Sequence, residues 1–268
     1  MNVREVVEVV LSVNGGKRFD KTCDQLIEGD WERKVNGVVT TFMATVEVIR
    51  ETIRAGSNMI ITHEPTYFTG SDSTGWVEGD QIYQKKKALI DDNRVSIWRY
   101  HDHMHMGHSD LIYAGLLKTM GWAEYLDGEM PQPHCYSIPS TTVADLVGFL
   151  KKALGLGVVR VIGDPGMKCS RVGILVGGGS LGLGHEEMPA RLMHDRRLDV
   201  MLCGEITEWT LASYVRDAAS LGFNKAMIVV GHERSEGPGM RALADLLKPL
   251  LPGIPVRFAD AGEPFAYV

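Results

Sequence analysis

The sequence predicts an α/β fold made of two similar strand–helix lobes. Short apolar, β-branched segments alternate along the chain with segments of helical spacing, as they do when helices connect the strands of a largely parallel sheet. A glycine punctuates nearly every turn between them. The stretch 127–133, with two prolines and a glycine, is the best candidate for a lobe boundary. We therefore predict an N-terminal lobe at 1–128 and a second lobe at 129–268.

The elements of the first lobe follow from local spacing. Valines recur at helical intervals from Val3 to Val13, and Gly56 stands where a helix would end. Three consecutive lysines at 85–87 are expected to form a solvated helix face. The predicted elements are a helix ending before residue 15, a strand at 37–41, a helix at 45–55, a strand at 58–62, a helix at 80–92, a strand at 95–100 and a helix at 110–121.

The second lobe is predicted in the same way. Its clearest buried strand is AMIVV at 226–230, which ends at a Gly-His pair. The predicted elements are helices at 143–154, 189–195, 208–221 and 239–250, and strands at 158–163, 171–176, 200–203, 226–230 and 256–259.

The composition excludes several classes of protein. A length of 268 residues can bury a substantial core, and 44% hydrophobic with 23% charged residues is ordinary for a folded globular protein. A net charge of −6 argues against binding to nucleic acid or an anionic membrane. The chain has neither an apolar run of about 18 residues nor a signal-peptide pattern. We therefore expect a cytoplasmic protein whose four scattered cysteines are reduced.

Three short strings of histidines and acids each follow an apolar run, so each is expected at the exit of a buried strand. They are THEPTYF at 62–68, HDHMH at 101–105 and GHERSE at 231–236. Open α/β sheets bind their ligands at such strand ends. Imidazole nitrogens together with carboxylate oxygens suit zinc, iron, manganese or nickel. The strings predict one metal site assembled from both ends of the chain.

Within HDHMH, an extended backbone would place His101, His103 and His105 on one face, whereas a turn here would break that alternation. The competing interpretation is a run of exposed histidines at a strand end. Four of the nine histidines lie within residues 101–108, and this density favours metal binding.

The other two strings are weaker when taken singly. Pro65 disfavours helix at the residue before it and so keeps His63 and Glu64 at the strand tip. His232 and Glu236 share a face if a helix begins at residue 232. A lone histidine is more often structural, but three such strings at three strand exits together indicate a site.

The remaining polar residues leave alternatives open. The GGGS at 177–180 either exposes backbone N–H groups to a phosphate or is a tight turn. Arg234 either pairs with a substrate phosphate or is solvated. Glu205 is expected near the site, Glu208 is undecided between a helix start and a pocket, and Cys203 is expected to pack.

These motifs resemble those of the Nif-three-like (YbgI-like) dinuclear-metal family, often labelled GTP cyclohydrolase I type 2 homologs. The family's marks are His-His-Pro after an early strand, His-Thr-Asn-x-Asp, a Gly-rich turn, Gly-Glu and a late Gly-His-x-x-x-Glu. They appear here as HEP at 63–65, HDHMH at 101–105, GGGS at 177–180, GE at 204–205 and GHERSE at 231–236. The resemblance covers nearly the whole chain. It implies a duplicated α/β fold, a two-metal site in the cleft between the lobes, and a ring-shaped homo-oligomer, commonly a hexamer.

The chain departs from the family pattern at two ligand positions. Glu64 stands where the family has its second histidine, and His105 where it has an aspartate. The five ligands that the resemblance implies still comprise three imidazoles and two carboxylates: His63, Glu64, His105, His232 and Glu236. A neutral imidazole has one lone pair and cannot bridge two metals. If the family aspartate is a bridge, either Glu64 or Glu236 takes that role here, or only one ion binds. The family's histidine pair after Gly-Glu is also replaced, by a Glu-Trp pair at 208–209.

The leading expectation is a dinuclear metal-dependent hydrolase with two divalent transition metal ions per chain (Zn, Fe, Mn or Ni). A metal-activated water would attack carbon or phosphorus of a nucleotide or another small molecule. Glu236 is a candidate catalytic residue. His101 or His103 is expected to serve as an extra ligand, to orient a ligand, or to act as a general acid or base. The C-terminal part of the second lobe, 231–268, would return His232 and Glu236 to the metal site.

Two other functions are kept as alternatives. One is a non-catalytic metal-binding or regulatory scaffold whose ring recruits a protein partner. The other is a metallo-β-lactamase-like hydrolase, suggested by HMHMGH at 103–108, although Gly107 stands where that family has an aspartate. No partner beyond a small-molecule substrate and copies of the chain is expected in the leading interpretation.

Overall fold

The computed structural model of the chain describes residues 1–128 and 134–268. Within these residues the strands form two five-stranded sheets. The chain divides into two compact units, residues 1–115 with 237–262 and residues 116–236 with 263–268. The predicted α/β fold with two strand–helix lobes is thus confirmed. The boundary expected at 127–133 falls within the second unit, and residues 129–133 lie outside the described residues.

The first unit contains a mostly parallel sheet. Its elements are α1 (Val3–Val13), β1 (Leu26–Glu28), β2 (Val38–Thr41), α2 (Val46–Arg54), β3 (Met59–Thr62), α3 (Gln81–Asp92), β4 (Ser96–Arg99), α4 (Asp102–Met106), the start of α5 (Leu111–Met120), most of α9 (His232–Leu247) and β10 (Val256–Phe258). The strand order is β1-β4-β3-β2-β10, and only β1 is antiparallel to its neighbour. The carboxyl ends of β3 and β4 therefore lie side by side, and each leads into a histidine-bearing string.

The core of the first unit forms where the central strands meet two helices. Ile60 and Ile97 of β3 and β4 are fully buried, and they belong to one cluster with Ile49 of α2 and Ile90 of α3. The continuous apolar character of β3 follows from burial on both faces, as expected for a strand inside a parallel sheet.

The last strand joins the first unit although it is at the end of the chain. In β10, Val256 lies opposite Val38 and Phe258 opposite Thr40, in parallel register with β2. Residues 237–262, which the sequence assigned to the second lobe, therefore belong to the first unit.

Two helices of the first unit approach each other at glycines. A Cβ added to Gly115 would lie 2.5 Å from Gly239 Cα, and one added to Gly239 would lie 2.7 Å from Ile112 Cα. The close contact between α5 and α9 therefore requires residues without side chains at both positions.

The expectation of a solvated lysine face on α3 is wrong for Lys86. Its side chain is buried, and Nζ donates a 2.6 Å hydrogen bond to the carbonyl of Thr66. Nζ also lies 5.6 Å from the ring centroid of Tyr67. Burial lowers the pKa of Lys86 to about 8. Lys85 is exposed, as predicted.

The second unit repeats the strand–helix alternation. Its elements are β5 (His134–Thr142), α6 (Val143–Leu154), β6 (Arg160–Ile162), β7 (Lys168–Leu175), a 3₁₀ turn (Gly177–Leu181), α7 (Met188–Asp195), β8 (Val200–Cys203), α8 (Leu211–Ser220) and β9 (Ala226–Val229). The order is β5-β7-β8-β9-β6, with β7, β8 and β9 parallel and both edge strands antiparallel. Met201 and Met227 of the central strands pack with Met193 of α7 and Val215 of α8.

The four cysteines are free thiols, as expected. No helix among the described residues combines the length and the apolar character that spanning a bilayer needs.

Candidate metal centre

The HDHMH string is a helix and not an extended segment. α4 begins directly after β4 because the Asp24 carboxylate accepts backbone hydrogen bonds from His101 (2.7 Å), Asp102 (2.7 Å) and His103 (3.1 Å). This is the capping that the first N–H groups of a helix need. The helical turn separates His101 and His105, which share a face, from His103, so the second of the two arrangements, a turn that breaks the alternation, is the one found.

His63 and His105 meet at their Nε2 atoms, which lie 3.2 Å apart. His63 follows β3, is fully buried and has Nδ1 3.1 Å from the carbonyl of Tyr100. His105 has Nδ1 2.9 Å from a carboxylate oxygen of Asp110. Because carbonyl and carboxylate oxygens accept, both Nδ1 atoms donate, and in neutral rings both Nε2 atoms then present a lone pair.

Two lone pairs at this distance repel each other unless a proton or a metal ion lies between them. Two nitrogen ligands of one tetrahedral zinc ion, each about 2.0–2.1 Å from the metal, stand about 3.3 Å apart. The separation of the two Nε2 atoms therefore suits a shared metal ion, and the acceptors on Nδ1 are the outer partners that metal-binding histidines commonly have.

His101 completes a three-histidine group in the first unit. One ligand atom from each of His63, His101 and His105 lies within 4.8 Å of the others. The His101 ring stacks on His63 with centroids 4.6 Å apart. Its Nδ1 lies 3.0 Å from Asp102, and its Nε2 lies 3.8 Å from the carboxylate of Glu64. The first unit thus brings together three predicted imidazoles and one predicted carboxylate.

Asp102 is held in its ionised form. Burial opposes ionisation, but hydrogen bonds from the Cys23 N–H, His101 and Thr22 outweigh it and keep the pKa of Asp102 well below its usual range. A charged Asp102 keeps the proton of His101 on Nδ1 and orients the ring.

His103 does not join this group. Its Nδ1 lies 2.7 Å from Asp24, and its ring packs on Phe19 with centroids 4.5 Å apart. Its Nε2 is buried and makes no hydrogen bond to any described residue. The structure gives His103 a role in anchoring α4, and its predicted catalytic role stays a prediction.

The second unit has a ligand group of its own around His232. α9 begins at this residue, directly after β9, so His232 and Glu236 share a helix face, as predicted. Nε2 lies 3.0 Å from Glu236 Oε2, and Nδ1 lies 3.1 Å from Glu205 Oε1. Glu236 is buried, whereas Glu205 is half-exposed. An imidazole between two carboxylates offers a divalent ion both nitrogen and oxygen donors.

Two glycines make this arrangement possible. A Cβ on Gly177, whose φ is +51°, would lie 2.0 Å from Glu236 Oε1 and 2.7 Å from His232 Nε2. A Cβ on Gly204 would lie 2.5 Å from the Gly177 nitrogen. The Gly177 N–H donates to Ser235 Oγ and the Gly179 N–H to the carbonyl of Val176. The GGGS string is therefore a tight turn packed on His232 and Glu236, the second of the two interpretations.

The structure gives Arg234 a partner that the sequence did not suggest, and it buries Cys203. Arg234 pairs with Glu233, with Nε 3.1 Å from Oε2. Cys203 is fully buried, and burial raises the pKa of its thiol to about 12. Cys203 therefore packs, as expected.

Comparison with known proteins decides the family. Residues 1–263 match the model of the Duf34/NIF3 family (NGG1p interacting factor 3). The chain belongs to this family. The predicted Nif-three-like resemblance is thereby confirmed.

The Duf34/NIF3 chain is similar to two curated proteins, each named "GTP cyclohydrolase 1 type 2 homolog". The protein of Clostridium perfringens is 22% identical over 281 residues, covering 100% of this chain and 98% of that protein. The protein of Clostridium acetobutylicum is 24% identical over 240 residues, covering 83% and 80%.

Solved structures share the fold. A Bacillus cereus protein related to NIF3 has a TM-score of 0.76 at 15% identity, covering 100% of this chain and 99% of the other. The protein ybgI has a TM-score of 0.72 at 21% identity, covering 99% and 100%. Both structures thus share the fold of this chain.

Sequence reasoning missed the acceptors that orient the ligands of this family member. Asp110 had a signal, because it precedes the helical pattern of α5 and its Oδ1 accepts the N–H groups of Ile112 and Tyr113. Asp24 and the carbonyl of Tyr100 had none, since only the folded sheet brings them to the histidines.

Proposed function

We propose that the protein is a divalent-metal-dependent hydrolase. The observation that carries the proposal is the 3.2 Å separation of the Nε2 atoms of His63 and His105, both with Nδ1 held by an acceptor. The curated relatives, named as homologs of a cyclohydrolase, support a hydrolytic reaction on a nucleotide or a similar small molecule.

Each residue has a proposed task. His63 and His105 would hold a transition metal ion, with His101 as a further nitrogen donor and Glu64 as a carboxylate beside it. His232 and Glu236 would hold a metal in the second unit, with Glu205 orienting the His232 ring. When bound, such an ion supplies Lewis-acid activation of water or of the substrate oxygen. The donor set of nitrogen and carboxylate oxygen favours zinc, iron, manganese or nickel over magnesium or calcium.

The expectation that both ligand groups serve one two-ion centre stays a prediction. Elemental analysis of protein purified without added metal tests it, together with the same measurement on variants of one group. About two ions per chain, with His63→Ala and His232→Ala each losing metal, would support the proposal. Less than about 0.1 ion per chain after reconstitution would contradict it, because a four-donor transition-metal site binds tightly.

Turnover needs a separate test. Hydrolysis of a nucleotide and phosphoester panel by metal-loaded protein, lost in His105→Ala with the fold intact, would support the enzyme. Stoichiometric metal without turnover on any substrate would favour the non-catalytic scaffold. Light scattering of the same samples tests the proposed ring-shaped homo-oligomer.

A further inference from the structure

The second unit contains a cavity of about 340 Å³ that none of the proposed metal ligands lines. It lies over one face of the sheet, where β6 and β9 meet the side of α8. Cavities of about 300–1,000 Å³ are the usual size of small-molecule sites. The cavity can therefore hold a compact organic molecule.

The floor of the cavity is apolar. Ile162 of β6 lies directly opposite Met227 of β9, and both line it together with Val229. Ile206, half-buried in the loop after β8, adds to the same surface. An apolar or aromatic ring placed here would cover this surface and exclude water from it.

The rim of the cavity carries more cationic than anionic side chains. Arg160 lies at the start of β6 and Arg216 on α8, and both line the cavity with Ser213 and Glu208. In the described part of the chain, no carboxylate lies within ion-pair distance of either guanidinium. Two arginines against one glutamate leave one net positive charge facing the cavity.

We propose that this cavity binds a small phosphorylated organic molecule. Two guanidinium forks and one hydroxyl supply donors for the three oxygens of a phosphoryl group. The apolar floor takes the ring or hydrocarbon part of the ligand. The Glu208 carboxylate accepts a hydrogen bond from a hydroxyl or amine of the ligand. It repels an anionic ligand that has neither a hydroxyl nor an amine. The site needs no metal ion and so stands apart from the proposed metal chemistry.

The test uses phenylphosphonate, whose carbon–phosphorus bond a hydrolase of esters leaves intact. Isothermal titration of the full chain should show saturable one-to-one binding with a Kd below about 1 mM. Binding should persist after the metal has been removed with a chelator, because the cavity lies apart from the metal ligands. Phenol and methylphosphonate, which each carry half of the ligand, should bind at least about tenfold more weakly.

Variants locate the binding. Arg160→Ala and Arg216→Ala should each weaken it about tenfold, the loss of one charge-assisted contact at an exposed rim. Glu208→Gln should strengthen it, and Ser213→Phe should abolish it by filling the cavity. The control is Arg191→Ala, an exposed arginine of α7 in the same unit that does not line the cavity.

Three results would overturn the proposal. The first is the absence of saturable binding to folded protein. The second is binding that Arg160→Ala and Arg216→Ala leave unchanged. The third is binding that disappears with the metal, which would place the phosphonate on the metal ligands and so support metal binding while excluding this cavity.

Discussion

His63 and His105 bring their Nε2 atoms to 3.2 Å from each other across 42 positions of sequence. β3 delivers the first ring and the short helix α4 the second. Each ring is turned toward the other by an acceptor on its opposite nitrogen. The two Nε2 atoms are preorganised for a cation, because the orientation of both rings is fixed before an ion binds.

Removal of either ring should remove the metal. We expect His63→Ala and His105→Ala to lower zinc affinity below detection in the first unit, and Asp110→Asn to lower it about 10- to 100-fold by loosening His105. Competition with a chromophoric chelator measures the affinity. His194→Ala is the control, because its ring is exposed on α7. Unchanged zinc binding in all three variants would exclude His63 and His105 as ligands.

Gly177 should be intolerant of a single methyl group. Gly177→Ala places a Cβ against Glu236 and His232 at a positive φ, so we expect metal loss at His232 and destabilisation of about 1–3 kcal/mol. Gly178→Ala, in the same turn, would meet only Leu181 Cδ1 at 3.8 Å and should be neutral. Metal content and urea midpoints compare the two. Equal metal content and equal urea midpoints of Gly177→Ala and Gly178→Ala would contradict the packing of the turn on Glu236 and His232.

A glycine-to-alanine substitution should lower the stability at the contact between α5 and α9 and raise it at an open helix position. Gly115→Ala should destabilise the protein by about 1–3 kcal/mol, because its Cβ would meet Gly239 backbone. Gly148→Ala, on α6 with open space around it, should stabilise by about 0.5–1 kcal/mol. Urea unfolding measures both. A stabilising Gly115→Ala would show that the helices are not in this contact.

Asp24 should be a main support of α4. Asp24→Ala removes the acceptor of three backbone N–H groups and of the His103 ring, so we expect a loss of about 2–4 kcal/mol and weaker metal binding. Asp20→Ala, an exposed neighbour, is the control. Equal stability of Asp24→Ala and Asp20→Ala would contradict the role of Asp24 in supporting α4.

Lys86 should make stability depend on pH in alkaline solution. Its pKa is lowered from 10.5 to about 8, since burial disfavours the charged form. Between these values the unfolded chain keeps the proton and the folded chain has lost it, so the free energy of unfolding rises with pH across this window. Below pH 8 the cost of the buried charge is fully present.

Lys86→Met should abolish that rise, which amounts to about 3 kcal/mol over the whole window. Urea unfolding at pH 7, 8.5 and 10 measures the difference between variant and parent. Lys85→Met, one residue away and exposed, keeps the rise. A difference between Lys86→Met and the parent that is independent of pH would contradict the lowered pKa.

Much of the fold was predictable because local pattern and burial agree. α1, β3 and α6 follow their apolar spacing, and their bounds match the prediction within a residue. β5 was not predicted, because this edge strand includes Pro139, has an irregular register after Ser137 and is largely polar toward its end. β1 is only three residues long and half-buried, which leaves no periodicity to detect.

The candidate ligand residues were predictable from the sequence, but their geometry was not. His63, Glu64 and His105 were found because histidine and acid at a strand end are informative. The sequence left open whether residues 101–105 turn, because the carboxylate that caps α4 belongs to Asp24, 77 positions earlier than the first N–H it accepts. The requirement for glycine at Gly177 likewise depends on side chains that lie about 55–59 positions later.

The pairing of β10 with β2 has a consequence for biosynthesis. β2 acquires its outer neighbour only from residues 256–258, more than 200 positions later in the sequence. Synthesis must therefore reach residue 258 before the sheet that carries His63 can be completed. During synthesis that sheet presents the open edge of β2, to which any extended chain can add. This edge of β2 stays unpaired until β10 has been synthesised and has joined it.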